Sequence, residues 1–242
     1  MSSVDAYYGD TVATAPLSAR VAFIRRTYAH LAVAVLAFVG VSAGLIASGL
    51  AEEILHDVFM ASRFAWFGVM VLFMVGTVAA QMMAQSRSSV GTQYAGLSLY
   101  VLLYALLFVP ILTIASSPKY GGNTALPLQA GIVTLMVFAG LTTAVFISGK
   151  DFSFMGPVLA IGSFLALGVI IAAMIGGFSL GLVFCSLMVA LFAGYVVYDT
   201  SNIIHRYRTD EHVAASMALF GSFAMLFYYI LMLFMSGGRS ND

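Results

Sequence analysis

The 242-residue chain carries 8% charged and 62% hydrophobic residues and a formal net charge of zero. Soluble domains carry about 25% charged residues, so this chain cannot clothe a water-facing surface, and much of it must face lipid. Zero net charge without a basic stripe argues against a nucleic-acid partner, and the single Cys185 excludes an internal disulfide.

Residues 1–22 are polar and mixed, with Asp5, Asp10, Pro16 and Arg20, and read as a cytoplasmic tail. The first apolar run is longer than the ~7–15 residues of a secretory signal core, so it reads as a retained span. A membrane-crossing helix needs about 20 apolar residues. Seven stretches qualify, at 29–50, 64–83, 94–116, 128–148, 154–175, 179–204 and 213–235. The runs are continuous rather than alternating, which excludes a membrane β-barrel. Together they make an all-α transmembrane domain over 23–236, with a short tail at 237–242. The weakest boundary is at Gly176, Gly177 and Ser179, where a re-entrant pair would reduce the count to six.

Basic residues set the orientation. With the N-terminus inside, the inner segments hold Arg20, Arg25, Arg26, Arg87, Lys150, Arg206 and Arg208. The outer ones hold Arg63, Lys119 and Arg239. Seven against three favours a multi-pass protein of the cell inner membrane with a cytoplasmic N-terminus. Gly40 with Gly44, Gly177 with Gly181, and Ala190 with Gly194 each put two small residues on one helix face, which suits close packing, foremost within the chain and secondarily between copies of it.

A charge inside a membrane costs at least about 2.5–3.5 kcal/mol, so it tends to persist where it has a partner or a task. Asp199 is the foremost candidate, about 9 Å deeper than His205 at 1.5 Å rise per residue and flanked by Tyr195, Tyr198, Thr200, Ser201 and Asn202. It is either a solvated interfacial residue or a gate and ion-site carboxylate. Arg87 is either an ordinary inner-side cation or a salt-bridge partner that closes an exit over Asp199. His205, Asp210, Glu211 and His212 match no zinc spacing and read as a solvated turn, and His30 reads as an interfacial anchor. No nucleophile–base pair, phosphate loop or HExxH is present, so the chain is not expected to be an enzyme, and no cofactor is expected.

Four stretches together resemble the Bax inhibitor family, in its compact bacterial branch. They are Phe23 to Leu31, Thr134 to Leu141 with the loop Lys150 to Gly156, Phe192 through Tyr198, Asp199 and Thr200, and Leu226 to Leu231. The resemblance implies a fold in which the last helix is central and wrapped by the other six. It also implies a slow, pH-sensitive calcium leak, in which two aspartates of the sixth and seventh helices share a hydrogen bond and an arginine after the second helix assists closure. Asp199 matches the first aspartate and Arg87 the arginine. The second aspartate's place falls at Ser222, and the seventh span holds no acidic residue.

Two carboxylates in contact cannot both ionise easily. Ser222 removes that pair, so any leak is expected to respond less to pH. Calcium takes roughly 6–8 oxygen ligands, so Asp199 with hydroxyls is a weak calcium site, suited to a permeant ion. The competing reading is a non-transporting membrane adaptor that modulates an ATP-dependent membrane protease, with residues 1–22 as its handle. The lipid bilayer is the partner common to both.

Overall fold

Lipid offers no hydrogen bonds, so a chain of apolar runs must close its backbone bonds within each segment, as helices. The computed structural model describes residues 11–60, 63–86 and 89–238. Among those residues it is helical, without a strand. The elements are α1 (Leu17–Ala47), α2 (Leu50–Ile54) running into a π turn (Leu55–Phe59), α3 (Arg63–Ala84), α4 (Val90–Ser116), a 3-10 turn (Pro118–Tyr120), α5 (Leu126–Ser148), α6 (Met155–Gly176), α7 (Leu182–His205) and α8 (His212–Gly238). Seven of the helices, all but α2, are long and apolar enough to cross a membrane. The chain is an all-α, multi-pass membrane protein.

The break at Gly177 separates two full-length helices: α6 has 22 residues and α7 has 24, each long and apolar enough to cross a membrane. Gly177 closes α6 with φ +70°, a left-handed conformation that glycine adopts without strain, and α7 starts afresh at Leu182. The connections α3–α4, α5–α6 and α7–α8 lie with residues 11–16 at one end of the bundle, here the N-terminal end. The other connections lie at the far end.

The start of α1 differs most from the sequence reading. The helix begins at Leu17, right after Pro16, so residues 17–22 of the expected tail are helical. Residues 11–15 form a docked strap. The Val12 N–H donates to the Tyr207 carbonyl at 2.8 Å, Thr11 bridges Arg208, and Val12 and Ala15 are buried. A polar tail hides such a strap because only two apolar side chains carry the docking.

Two spans form the core. In α8 and α4 respectively, 67% and 61% of the most apolar window is buried, against 11–28% in the others. The last helix is therefore central, as the resemblance implies, with a refinement. α1, α3, α4, α5 and α7 pack directly on α8, whereas α6 leans chiefly on α7 and reaches α8 where Ala166 joins Met188 and Tyr229. Interlocking rings hold the centre: Phe38 lies 5.1 Å from Phe108 and 6.0 Å from Phe220.

The small-residue pairs behave differently from expectation. A Cβ on Gly40, Gly44, Gly177 or Gly181 would meet no atom within 4 Å, so those pairs do not pack within the chain. Gly194 does, against Leu159. Two helix backbones come close at Gly96 of α4, where a Cβ would lie 2.6 Å from the Ala80 carbonyl oxygen and 2.8 Å from the Ala84 nitrogen of α3. Helices in lipid associate largely through van der Waals contact, and Gly96 supplies it without any repeat spacing to announce it.

Candidate functional site

The last turns of α7 concentrate the polar residues of the spans. At about 100° per residue, consecutive side chains leave the helix toward different neighbours. Tyr195 turns to α6, with its hydroxyl 2.9 Å from Ser163 Oγ. Tyr198 lies against Gly156 of α6, where a Cβ would come within 3.1 Å of its ring. Asp199 turns the other way, to α8. Its Oδ2 accepts a hydrogen bond from Ser222 Oγ, and both residues are buried, at 9% and 6% exposure. Thr200 is fully buried and faces Tyr28 of α1, which also faces Thr142 of α5.

The five residues singled out in the sequence therefore part company. Asp199 and Ser222 meet. Thr200 serves the α1–α5 side, and Tyr198 fastens α6. Arg87 lies outside the described residues, as does any contact between it and Asp199.

Two tyrosines that the sequence did not single out complete the surroundings. Tyr100 and Tyr104 of α4 are buried, their hydroxyls 3.3 Å apart, and both reach α8 at Gly221, next to the Ser222 that bonds Asp199. Gly221 makes room for them: a Cβ there would lie 2.6 Å from the Tyr100 hydroxyl and 3.4 Å from that of Tyr104. The signal was present as two tyrosines four residues apart on one face of a charge-free span. Below, in the α7–α8 connection, burial pushes the Tyr207 phenol well above its ordinary value, and the charges of Asp199 and Glu211 add to the effect.

The connections at this end are tied to α7. Ser201 Oγ accepts from the Phe152 N–H at 2.8 Å, and Arg206 reaches Ser153 Oγ at 2.5 Å and Asp151 at 3.7 Å. The Ser153 backbone N–H, its side chain and Arg206 together hold the Asp151 carboxyl below the usual aspartate value. His30 bonds Tyr94 at 2.8 Å and lies 5.0 Å from His212. In the α7–α8 turn Glu211 accepts the Arg208 N–H at 2.9 Å.

The arrangement offers one carboxylate and several hydroxyls. Among the described residues no three His, Cys, Asp or Glu side chains gather as a metal site would require. Such a donor set can meet a cation in passing, since a resident calcium ion takes roughly 6–8 oxygens.

Residues 20–240 match the family model described as "Inhibitor of apoptosis-promoting Bax1". The chain belongs to the Bax inhibitor family. It is 30% identical to Protein lifeguard 4 of Mus musculus, over 94% of this chain and 90% of that protein. It is 29% identical to Bax inhibitor 1 of Schizosaccharomyces pombe, over 95% of this chain and 82% of that protein. With the BI1-like protein of Arabidopsis thaliana it shares 38% identity over 54% of this chain, which spans 56% of that protein. The Bax inhibitor match runs from the start of α1 to the end of α8 and so takes in the Asp199–Ser222 contact.

Proposed function

We propose that this Bax inhibitor family member is a calcium-permeable leak of an inner (plasma) membrane, with its N-terminal end in the cytoplasm and its closed state held where Asp199 meets Ser222. The observation that carries the reading is the position of Asp199. It is an acidic side chain buried about 9 Å inside α7 from His205, bonded across to the central helix. An intramembrane carboxylate is costly and marks ion pathways more often than packing. Separating α7 from α8 would free this oxygen for a cation, with Tyr100 and Tyr104 alongside. Arg87 is assigned the counter-charge that favours closure. Ser222 stands where the resemblance puts a second aspartate.

The test is calcium entry into liposomes holding the purified chain. The wild type is expected to leak slowly, and Asp199→Asn to lose most of that leak. Equal flux in both, or none in the wild type, would contradict the reading. The adaptor reading takes residues 1–22 as its handle, and of these residues 11–15 are a docked strap and 17–22 belong to α1.

A further inference from the structure

Two of the chain's four histidines meet at the N-terminal end of the bundle. His30 belongs to α1 and His212 is the first residue of α8, and their ring centroids lie 5.0 Å apart. Tyr94, in the second turn of α4, joins them, with its hydroxyl 2.8 Å from His30 Nε2. Three helices thus bring two imidazoles and a phenol together. Among the described residues no third His, Cys, Asp or Glu adds to the group; the third donor is the phenol. None of the three side chains is sealed off. Tyr94 is 39% exposed and both histidines are half-buried, so an ion from the aqueous phase at this end can reach them.

The hydrogen bonds fix the state of His30. Its Nδ1 lies 2.6 Å from the Arg26 carbonyl oxygen, which can only accept, so Nδ1 carries the proton. Nε2 then keeps a lone pair, which accepts from the Tyr94 hydroxyl. An imidazole tied through one nitrogen to a backbone carbonyl, with a lone pair on the other, is oriented as metal-ligating histidines are. His212 brings a ring nitrogen, Nδ1, that has no hydrogen-bond partner.

The spacing suits a single ion. With Zn–N bonds of about 2.0–2.1 Å and tetrahedral angles, two imidazoles on one ion hold their ring centroids about 5.2 Å apart and their donor atoms about 3.3 Å apart. The histidine rings already stand close to the first distance. The Tyr94 oxygen has to draw back only about 0.5 Å from Nε2 to meet the second.

We propose that His30, His212 and Tyr94 form a binding site for a divalent transition-metal ion of the kind that imidazole suits, Zn²⁺ foremost, with water completing the tetrahedron. On binding, the hydrogen bond between Tyr94 and His30 gives way to two bonds to the ion, and the phenol proton leaves to solvent. The ion ties α1 to α4 and α8, the two core helices. Of the charged groups that face His212, Arg26 opposes a cation and Asp210 favours it. The assignment is independent of the leak proposed at Asp199.

The test titrates Zn²⁺ into the tag-free full chain in detergent at neutral pH, read by calorimetry and by thermal unfolding. One ion per chain should bind and raise the melting temperature, and a chelator should reverse the rise. His30→Gln and His212→Gln should each weaken binding by more than about 100-fold, beyond the 10–100-fold that the outer partners of metal ligands contribute. His56→Gln and His205→Gln, at the other two histidines, should leave it unchanged. Ca²⁺ and Mg²⁺, which take oxygen ligands, should not compete. Cu²⁺ gives a second reading that holds even where a histidine variant fails to fold. The wild type should show two imidazole nitrogens in the copper spin-resonance spectrum and a visible phenolate-to-copper charge-transfer band, the band being lost in Tyr94→Phe. Absence of saturable Zn²⁺ binding, or binding that survives both histidine variants, would overturn the proposal. So would competition by Ca²⁺, or a copper spectrum with fewer than two imidazole nitrogens or without the phenolate band.

Discussion

The two ends of the bundle differ in what fills the space between helices. At the N-terminal end the spans meet through polar contacts: Asp199 with Ser222, Tyr195 with Ser163, and the tie from Phe152 to Ser201. A strap of chain lies across the α7–α8 connection. At the far end α1 and α5 splay apart around apolar walls. The contrast suggests a division of work. The N-terminal end is held by directional bonds that either form or break, as a gate requires, and the far end by contacts that lipid can share.

Substitutions should separate the two ends, and the largest effect is expected from backbone contact. Gly96→Leu puts carbon into the α3 backbone. Overpacking typically costs about 1–3 kcal/mol when side chains can move, and here the obstacle is main chain, so loss of a monodisperse protein in detergent is expected. Gly131→Leu at the far end should keep its melting temperature. Equal damage from both would erase the contrast.

Ser222→Ala leaves Asp199 buried without its donor. A hydrogen bond to a charged group is worth about 1.5–3 kcal/mol, and thermal unfolding should show a loss of about that size. An unchanged melting temperature would mean that water or another side chain serves Asp199 equally well.

Val12→Asp tests the strap. A charge placed in the fully buried site of Val12 should release residues 11–15. Hydrogen exchange at the Val12 amide, protected in the wild type by the Tyr207 carbonyl, should become fast, while α4 and α8 stay protected. Slow exchange in the variant would place the docking in other residues.

The smallest effect concerns pH at the α5–α6 connection. The folded-state value of Asp151 is depressed, chiefly by the Ser153 N–H. The stability it adds is present above the unfolded value of about 3.9 and is lost only as pH falls through the lower folded value. The exchange rate of the Ser153 amide, corrected for its intrinsic pH dependence, should thus show no titration between pH 5 and 8.

Span count and type were legible because a hydrocarbon solvent enforces one rule on every segment. Six of the seven spans agree with the sequence reading to within four residues. The first does not, since lipid sets where a helix crosses and not where it begins, and the amphiphilic turns from Leu17 continue α1 beyond the apolar run. Asp199 was legible as the acidic residue within the predicted spans. Its surroundings were not, because Tyr100 and Tyr104 come from a helix ninety-odd residues away in sequence and Gly221 carries no side chain to read. The glycine repeats misled for a related reason: spacing shows that two residues share a face, not which face is covered.

The measurement that bears most directly on the gate is calcium flux at pH 6 and pH 8 for the wild type beside Ser222→Asp. Restoring a second carboxylate against Asp199 creates a pair that cannot easily ionise together. The account predicts a small pH step in the wild type and a markedly larger one in the variant. A wild-type step as large as the variant's, or a variant with no change, would contradict it.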